Sequence, residues 1–307
     1  MAEASATVTD SLDPRKLHFL NVGGVRTRYY ENGQGEPLVL FHGGEFGSLY
    51  TLDSWSLNLP TLAEHFHVYA PDKLGHGYTD NPAPDDYTPA ALFRHACGFL
   101  EALDCGAAHL VGHSRGGFLV TWLAVERPDL VKTLVIVDSQ SISPDAVSGG
   151  ADDFYEKLGH RQRLLTEPPT PELVRIEPEA QTYHREQVTD DFIARLLEIA
   201  RLPKTREAQQ RIQELRPTSW YPALFRKRDE LLQRIDEEGL SLPTLIIWGF
   251  DDQSAPLTLG LQLFARLAPH APRAELHVLN QARHYCFRDQ PAAFNRLLRS
   301  FCLGSAP

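Results

Sequence analysis

Apolar positions along the chain follow two rhythms. From Leu17 to Asn21 and from Val25 to Glu31 they alternate with polar ones on either side of Gly23-Gly24, which predicts an antiparallel hairpin. Leu38–Phe41 is continuously apolar, and further short, largely apolar runs of strand length follow at Phe66–Ala70, Ala107–Val111, Thr133–Val137, Thr244–Trp248 and Ala274–Leu279. Runs of this length suit strands buried on both faces of a parallel sheet. Stretches with helical spacing lie between them: Trp55–His65, Pro89–Leu103, Phe118–Glu126, Leu257–Leu267 and Phe287–Phe301. Strand followed by helix, repeated, predicts an α/β fold with a mostly parallel sheet and helices on both faces.

The rhythm stops between about Ser141 and Leu242. That segment shows no clear strand. It carries helical stretches at Asp152–Leu165, Thr189–Arg201, Arg206–Leu215 and Ala223–Glu238, divided by Glu167-Pro168-Pro169-Thr170-Pro171, Pro203 and Pro217. The expected organisation is a flexible tail at residues 1–16, an α/β core at 17–140 and 243–307, and a helical insertion at 141–242. No internal repeat or low-complexity tract is present.

Composition narrows the function classes. With 42 % hydrophobic residues the chain can bury a substantial core. A net charge of −10 argues against a nucleic-acid binder, which would need a clustered basic excess. Cys97, Cys105, Cys286 and Cys302 form no Cys-x-x-Cys pair and read as reduced, small hydrophobes. No basic-then-apolar leader and no apolar run of membrane-spanning length is present, so the expected location is the cytoplasm, away from the membrane. His160 and His184 lack a ligand spacing, and no metal is expected.

The chemistry centres on Gly112-His113-Ser114-Arg115-Gly116-Gly117, a strand, tight turn and helix with a serine at the tip. In open α/β sheets, functional groups gather at the carboxyl ends of the strands. His42-Gly43-Gly44, Ser114, Asp138, Asp251-Asp252 and His284 all follow predicted strands there. A serine hydroxyl needs a base to take its proton and an acid to hold that base. His284 occupies the loop after the last strand, where the order serine, acid, histidine requires the base. Asp251 and Asp252 are adjacent candidates for the acid; Asp138 is a third, with loop capping as its more ordinary role. The backbone N–H groups of Arg115 and of Gly44, or else Gly43, are candidates for stabilising an oxyanion.

On these motifs the chain resembles the α/β-hydrolase fold superfamily over nearly its full length after the tail. The resemblance implies an eight-stranded sheet, a helical cap at the insertion, and Asp252 as the acid. Within the superfamily it resembles the meta-cleavage-product hydrolases, which break a carbon–carbon bond in dienoic ring-fission products of aromatic degradation. The supporting stretches include Leu245–Asp252, Leu276–Leu279 with the His284 loop, and Phe294-Asn295-Arg296-Leu297. The departures are His113 and Arg115, where that family has asparagine and a hydrophobic residue, and Tyr285, where it has tryptophan. His113 and Tyr285 are accordingly candidate substrate-binding positions. Arg195, one residue short of the expected spacing after Thr189-Asp190-Asp191, is the candidate clamp for a substrate carboxylate.

The expected protein is therefore a cofactor-independent serine hydrolase acting on a small molecule: a dienoic ring-cleavage product, or alternatively a carboxylic ester or lactone. A ligand receptor of the same fold is a third reading, weakened by the retention of all three residue types. Assembly as a homodimer or higher homo-oligomer is a further expectation.

Overall fold

The computed structural model describes residues 10–144 and 150–304. Eight strands form one sheet: β1 (Leu17–Val22), β2 (Val25–Asn32), β3 (Glu36–Phe41), β4 (Phe66–Pro71), β5 (Ala108–His113), β6 (Val131–Val137), β7 (Thr244–Gly249) and β8 (Ala274–Leu279). Their order is β1-β2-β4-β3-β5-β6-β7-β8. β1 pairs antiparallel with β2, and β2 antiparallel with β4; every other pairing is parallel.

The apolar runs have a direct explanation. Successive strand residues point to opposite faces, and both faces are buried. Val39 and Phe41 join one core with Leu110, Leu134, Ile136, Ile246 and Trp248. Leu38 and Leu40 join the other with Val111, Val135, Val137, Leu245 and Ile247. Helices α2 (Pro89–Leu103), α3 (Arg115–Glu126) and α10 (Leu257–Leu267) cover the first face, while α1 (Leu59–Leu62) and α12 (Pro291–Leu303) cover the second.

Between β6 and β7 the described residues are helical: α4 (Gly150–Leu158), α5 (His160–Thr166), α6 (Pro171–Gln181), α7 (Asp190–Arg201), α8 (Pro203–Leu215) and α9 (Tyr221–Glu238). A five-residue π-helical segment, Arg216–Trp220, joins α8 to α9. Leu164, Leu173, Val174, Phe192 and Leu196 form a small core of the insertion's own.

Several expected elements differ. The single helix over Trp55–His65 is instead a 3₁₀ turn at Leu52–Trp55 followed by α1. Asn58 donates to Phe287 O (2.9 Å) and Asn295 Oδ1 (3.0 Å), and Pro60 lacks an N–H, so the segment is pinned before it can propagate. The helix over Asp152–Leu165 breaks at Gly159, which has φ 62°. The last helix divides at Pro291 from α11 (Cys286–Asp289). The proline-rich divider ends in the start of α6: Thr170 accepts from Leu173 N, and Pro171 fits the first turn.

The expected flexible tail, residues 1–16, is corrected only from Asp10 onwards. Residues 1–9 lie outside the described residues. Asp10 is 1 % exposed and accepts from Arg288 Nη2 at 2.8 Å, while Ser56, Thr189 and Arg195 also bond to it. A buried carboxylate needs paired charges and donors, and these fix the segment against both core and insertion.

Candidate active site

Ser114 sits between β5 and α3 with φ 53° and ψ −120°, a strained conformation for a residue with a side chain. Its N–H donates to Val137 O (2.8 Å), and its carbonyl accepts from Gly117 N (2.9 Å) and Ser139 Oγ (2.5 Å). The flanking glycines make that turn possible. A Cβ on Gly112 would lie 2.2 Å from Gly116 O, and one on Gly116 would lie 2.4 Å from Phe41 O.

His284 follows β8. Its Nδ1–H donates to Asp252 Oδ2 at 2.7 Å, both side chains being buried. The other carboxylate oxygen, Asp252 Oδ1, accepts from Ser254 N (2.8 Å), Ser254 Oγ (2.9 Å) and Ala255 N (2.9 Å). Asp252 is thereby fixed, with one oxygen turned to the imidazole. Asp251 is half-buried, and its N–H donates to Ala282 O. Asp138 is fully buried and accepts from Gly249 N at 2.7 Å. Burial, then the neighbouring Asp252 charge, raises its carboxyl well above the usual range.

The Gly43-Gly44 loop after β3 is held by its carbonyls. His42 Nδ1–H donates to Gly43 O (2.8 Å), and His42 Nε2 accepts from Lys73 N (3.1 Å), which requires a neutral ring. Burial, with Lys73 nearby, lowers the His42 pKa well below its ordinary value, in agreement. Lys73 Nζ donates to Gly44 O at 2.8 Å. A trans peptide sets its N–H opposite its C=O. With Gly43 O turned towards buried His42, the N–H of Gly44 turns the other way. Gly44 lines the cavity that also holds Ser114, Arg115 and His284, and Gly43 does not.

The other candidates are placed less simply. His113 borders the cavity but is only 2 % exposed; its Nε2–H donates to His284 O at 2.9 Å, so it holds the His284 backbone. Tyr285 is buried behind Tyr50, with ring centres 5.3 Å apart, and is not at the cavity wall. Arg195 is not there either. Its Nε lies 3.1 Å from Asp53 Oδ1, and it also bonds to Asp10. One residue on a helix is a rotation of about 100°, so the short spacing after Thr189 turns Arg195 towards these carboxylates.

The sequence reading missed Lys73, Glu45, Tyr50, Tyr155, Arg161 and Tyr221. Tyr50, Glu45, Tyr155, Arg161 and Tyr221 border the cavity. Glu45 follows the Gly43-Gly44 pair directly and was within reach of sequence reasoning; the insertion residues have no motif to mark them. Among the described residues no group of three or more His, Cys, Asp or Glu is placed to hold a metal ion, and no helix is long and apolar enough to cross a membrane. His160 instead bonds to Glu177.

Known proteins share this fold. Residues 36–291 match the α/β hydrolase fold family. The chain is 31 % identical to a 2-hydroxymuconate semialdehyde hydrolase of Pseudomonas sp. (strain CF600), covering 91 % of this chain and 90 % of that one. It is 29 % identical to a 2-hydroxy-6-oxo-2,4-heptadienoate hydrolase of Pseudomonas putida, over 91 % and 93 %. A solved meta-cleavage product hydrolase from Pseudomonas fluorescens IP01 superposes with a TM-score of 0.73 at 28 % identity, over 94 % of this chain and 98 % of that one. The chain is a hydrolase that belongs to the α/β hydrolase fold family and resembles its meta-cleavage product hydrolases.

Proposed function

We propose that the protein is a serine hydrolase that uses water to cleave a carbon–carbon bond in a dienoic ring-cleavage product of an aromatic compound. The observation that carries the reading is the 2.7 Å His284–Asp252 hydrogen bond opening on the same cavity as Ser114 on its strained turn. Ser114 Oγ attacks the carbonyl beside the scissile bond as His284 Nε2 takes its proton. Asp252 holds Nδ1–H and stabilises the imidazolium. The carbonyl oxygen becomes an oxyanion facing the N–H groups of Gly44 and Arg115. When the bond breaks, the departing carbon takes the proton from His284. This requires the substrate as its keto tautomer: a proton moves from the 2-hydroxyl to the carbon beside the reacting carbonyl, and the second carbonyl so formed, conjugated through the one remaining double bond, takes up the electron pair of the broken bond and makes that carbon an acceptable leaving group. Water, activated by His284, then releases the acid product and restores Ser114.

A carboxylic ester or lactone is the second reading. His113 and Arg115 on either side of Ser114 favour it, because the carbon–carbon hydrolases have asparagine and an apolar residue there. The same machinery serves either bond. Bleaching of a yellow 2-hydroxy-6-oxodienoate separates the two. The expected outcome is rapid bleaching by the native protein and loss of it in Ser114→Ala. Fast hydrolysis of p-nitrophenyl acetate without bleaching would replace the first reading by the second.

A further inference from the structure

The cavity holds more positive charge than the proposed chemistry uses. Glu45, next to Gly44 and 4 % exposed, faces three guanidiniums. Arg115 Nη2 lies 3.3 Å from its Oε2, Arg161 Nη1 lies 3.9 Å from its Oε1, and Arg216 bonds to Oε1 directly. Burial by itself would raise the Glu45 carboxyl, but Arg115, Arg216 and Arg161 outweigh it and hold it below its usual range. The only other carboxylate among the described residues of this cluster is Glu177, which Arg161 meets at 3.4 Å and which also takes a bond from His160. Three guanidiniums thus face two carboxylates.

Arg161 occupies a junction. It lines the Ser114 cavity, with about 60 Å³ of free space, and a neighbouring one of about 100 Å³ bounded by Phe46, Leu164 and Arg216. Its guanidinium lies over the Tyr155 ring at 3.6 Å, which fixes its plane. Arg115 Nη2 is positioned by the Tyr221 hydroxyl at 3.3 Å. Arg195, the arginine that the family resemblance suggested as a clamp, is occupied by Asp10 and Asp53.

We propose that Arg161, assisted by the Arg115 side chain, receives a carboxylate of the substrate while the reacting carbonyl lies at Ser114. Glu45 holds the like-charged arginines in place before substrate arrives, and the incoming carboxylate supplies the negative charge the cluster lacks. A planar guanidinium offers two parallel N–H donors to a carboxylate, so the site selects for an acidic substrate. Arg161 belongs to the insertion and Arg115 to the core, so an anion bound by both ties the two together over the reacting centre. The substrate assignment rests on the hydrolase reading above; the anion site can be tested without turnover.

Calorimetry with glutarate on the Ser114→Ala protein supplies that test. Saturable binding is expected, weakened roughly tenfold or more by adding Arg161→Gln, partly kept by Arg161→Lys and unchanged by Arg195→Gln. In the serine-containing protein, the ratio of kcat/KM for p-nitrophenyl hydrogen glutarate to that for p-nitrophenyl acetate should fall by a similar factor with Arg161→Gln. Absence of glutarate binding, or equal weakening by Arg195→Gln, overturns the proposal. Should Arg161→Gln fail to fold, glutarate competition against p-nitrophenyl acetate in the native protein decides: no inhibition rejects the site. If the dienoate is not bleached while the anionic preference falls in Arg161→Gln, the carbon–carbon reading fails and this site stands. Bleaching with an Arg161→Gln KM equal to the native one upholds the carbon–carbon reading and rejects this site.

Discussion

At the scale of single residues, three aspartates compete for one role and their surroundings separate them. Asp252 is gripped by Ser254 and Ala255 through one oxygen and turned to His284 by the other. Asp138 is fully buried and accepts from Gly249 N, and burial beside Asp252 raises its carboxyl well above the usual range. Asp251 projects to a half-exposed position. Asp252→Asn presents either the wrong polarity or the wrong tautomer to His284 and should lower kcat by roughly 10⁴-fold. Asp251→Asn should change it by less than about threefold. Steady-state kinetics on one activated ester compare the two, and a larger loss at Asp251 would reject Asp252 as the acid. The placing of Ser114 and His284 at one cavity was legible in the sequence, because a glycine-flanked turn and chain order both mark them as candidates. The Asp251–Asp252 choice was not, since adjacency in sequence says nothing of which side chain turns inward. Arg195 misled for a related reason: one residue of helical phase separates a cavity wall from an ion-pair network.

At the scale of elements, the central strands were readable because both their faces are buried, which leaves largely apolar runs of strand length. The short elements near the site were not. Leu52–Leu62 and the α11–α12 division depend on side chains from distant segments, such as Asn58 meeting Phe287 and Asn295. Packing of α2 on the β1–β2 hairpin side brings a pH dependence. His95 on α2 donates from Nε2 to Thr27 Oγ1 on β2 at 2.8 Å and is 9 % exposed. Burial lowers its pKa to about 4. The folded protein therefore keeps His95 neutral while the unfolded chain binds a proton below about 6.5. The stability this group confers is complete above pH 6.5 and is lost as pH falls towards 4. Relative to His95→Gln, the native protein should lose about 2 kcal/mol of stability between pH 6.5 and 4.5. Urea unfolding at the two pH values measures the difference; an equal gap at both would contradict the assignment.

At the scale of the whole molecule, the insertion is fastened to the loop that carries His284. Gln181 at the end of α6 accepts Tyr285 N through its carbonyl and Ser254 Oγ through its side chain. Asp289 accepts from Tyr183 N, His184 N and Arg283 N. Asp10 and Arg288 add a buried ion pair beneath. Tyr155, Arg161, Tyr221 and Phe225 of the insertion thus form a wall opposite Ser114. The proposed function requires that this enclosure activate one hydroxyl, and covalent labelling reads that activation out. A fluorophosphonate, followed by intact-mass and peptide mapping, should add once to the native protein, at Ser114, and not at all to Ser114→Ala. Labelling at another residue, or no labelling of a folded native protein, would contradict the account.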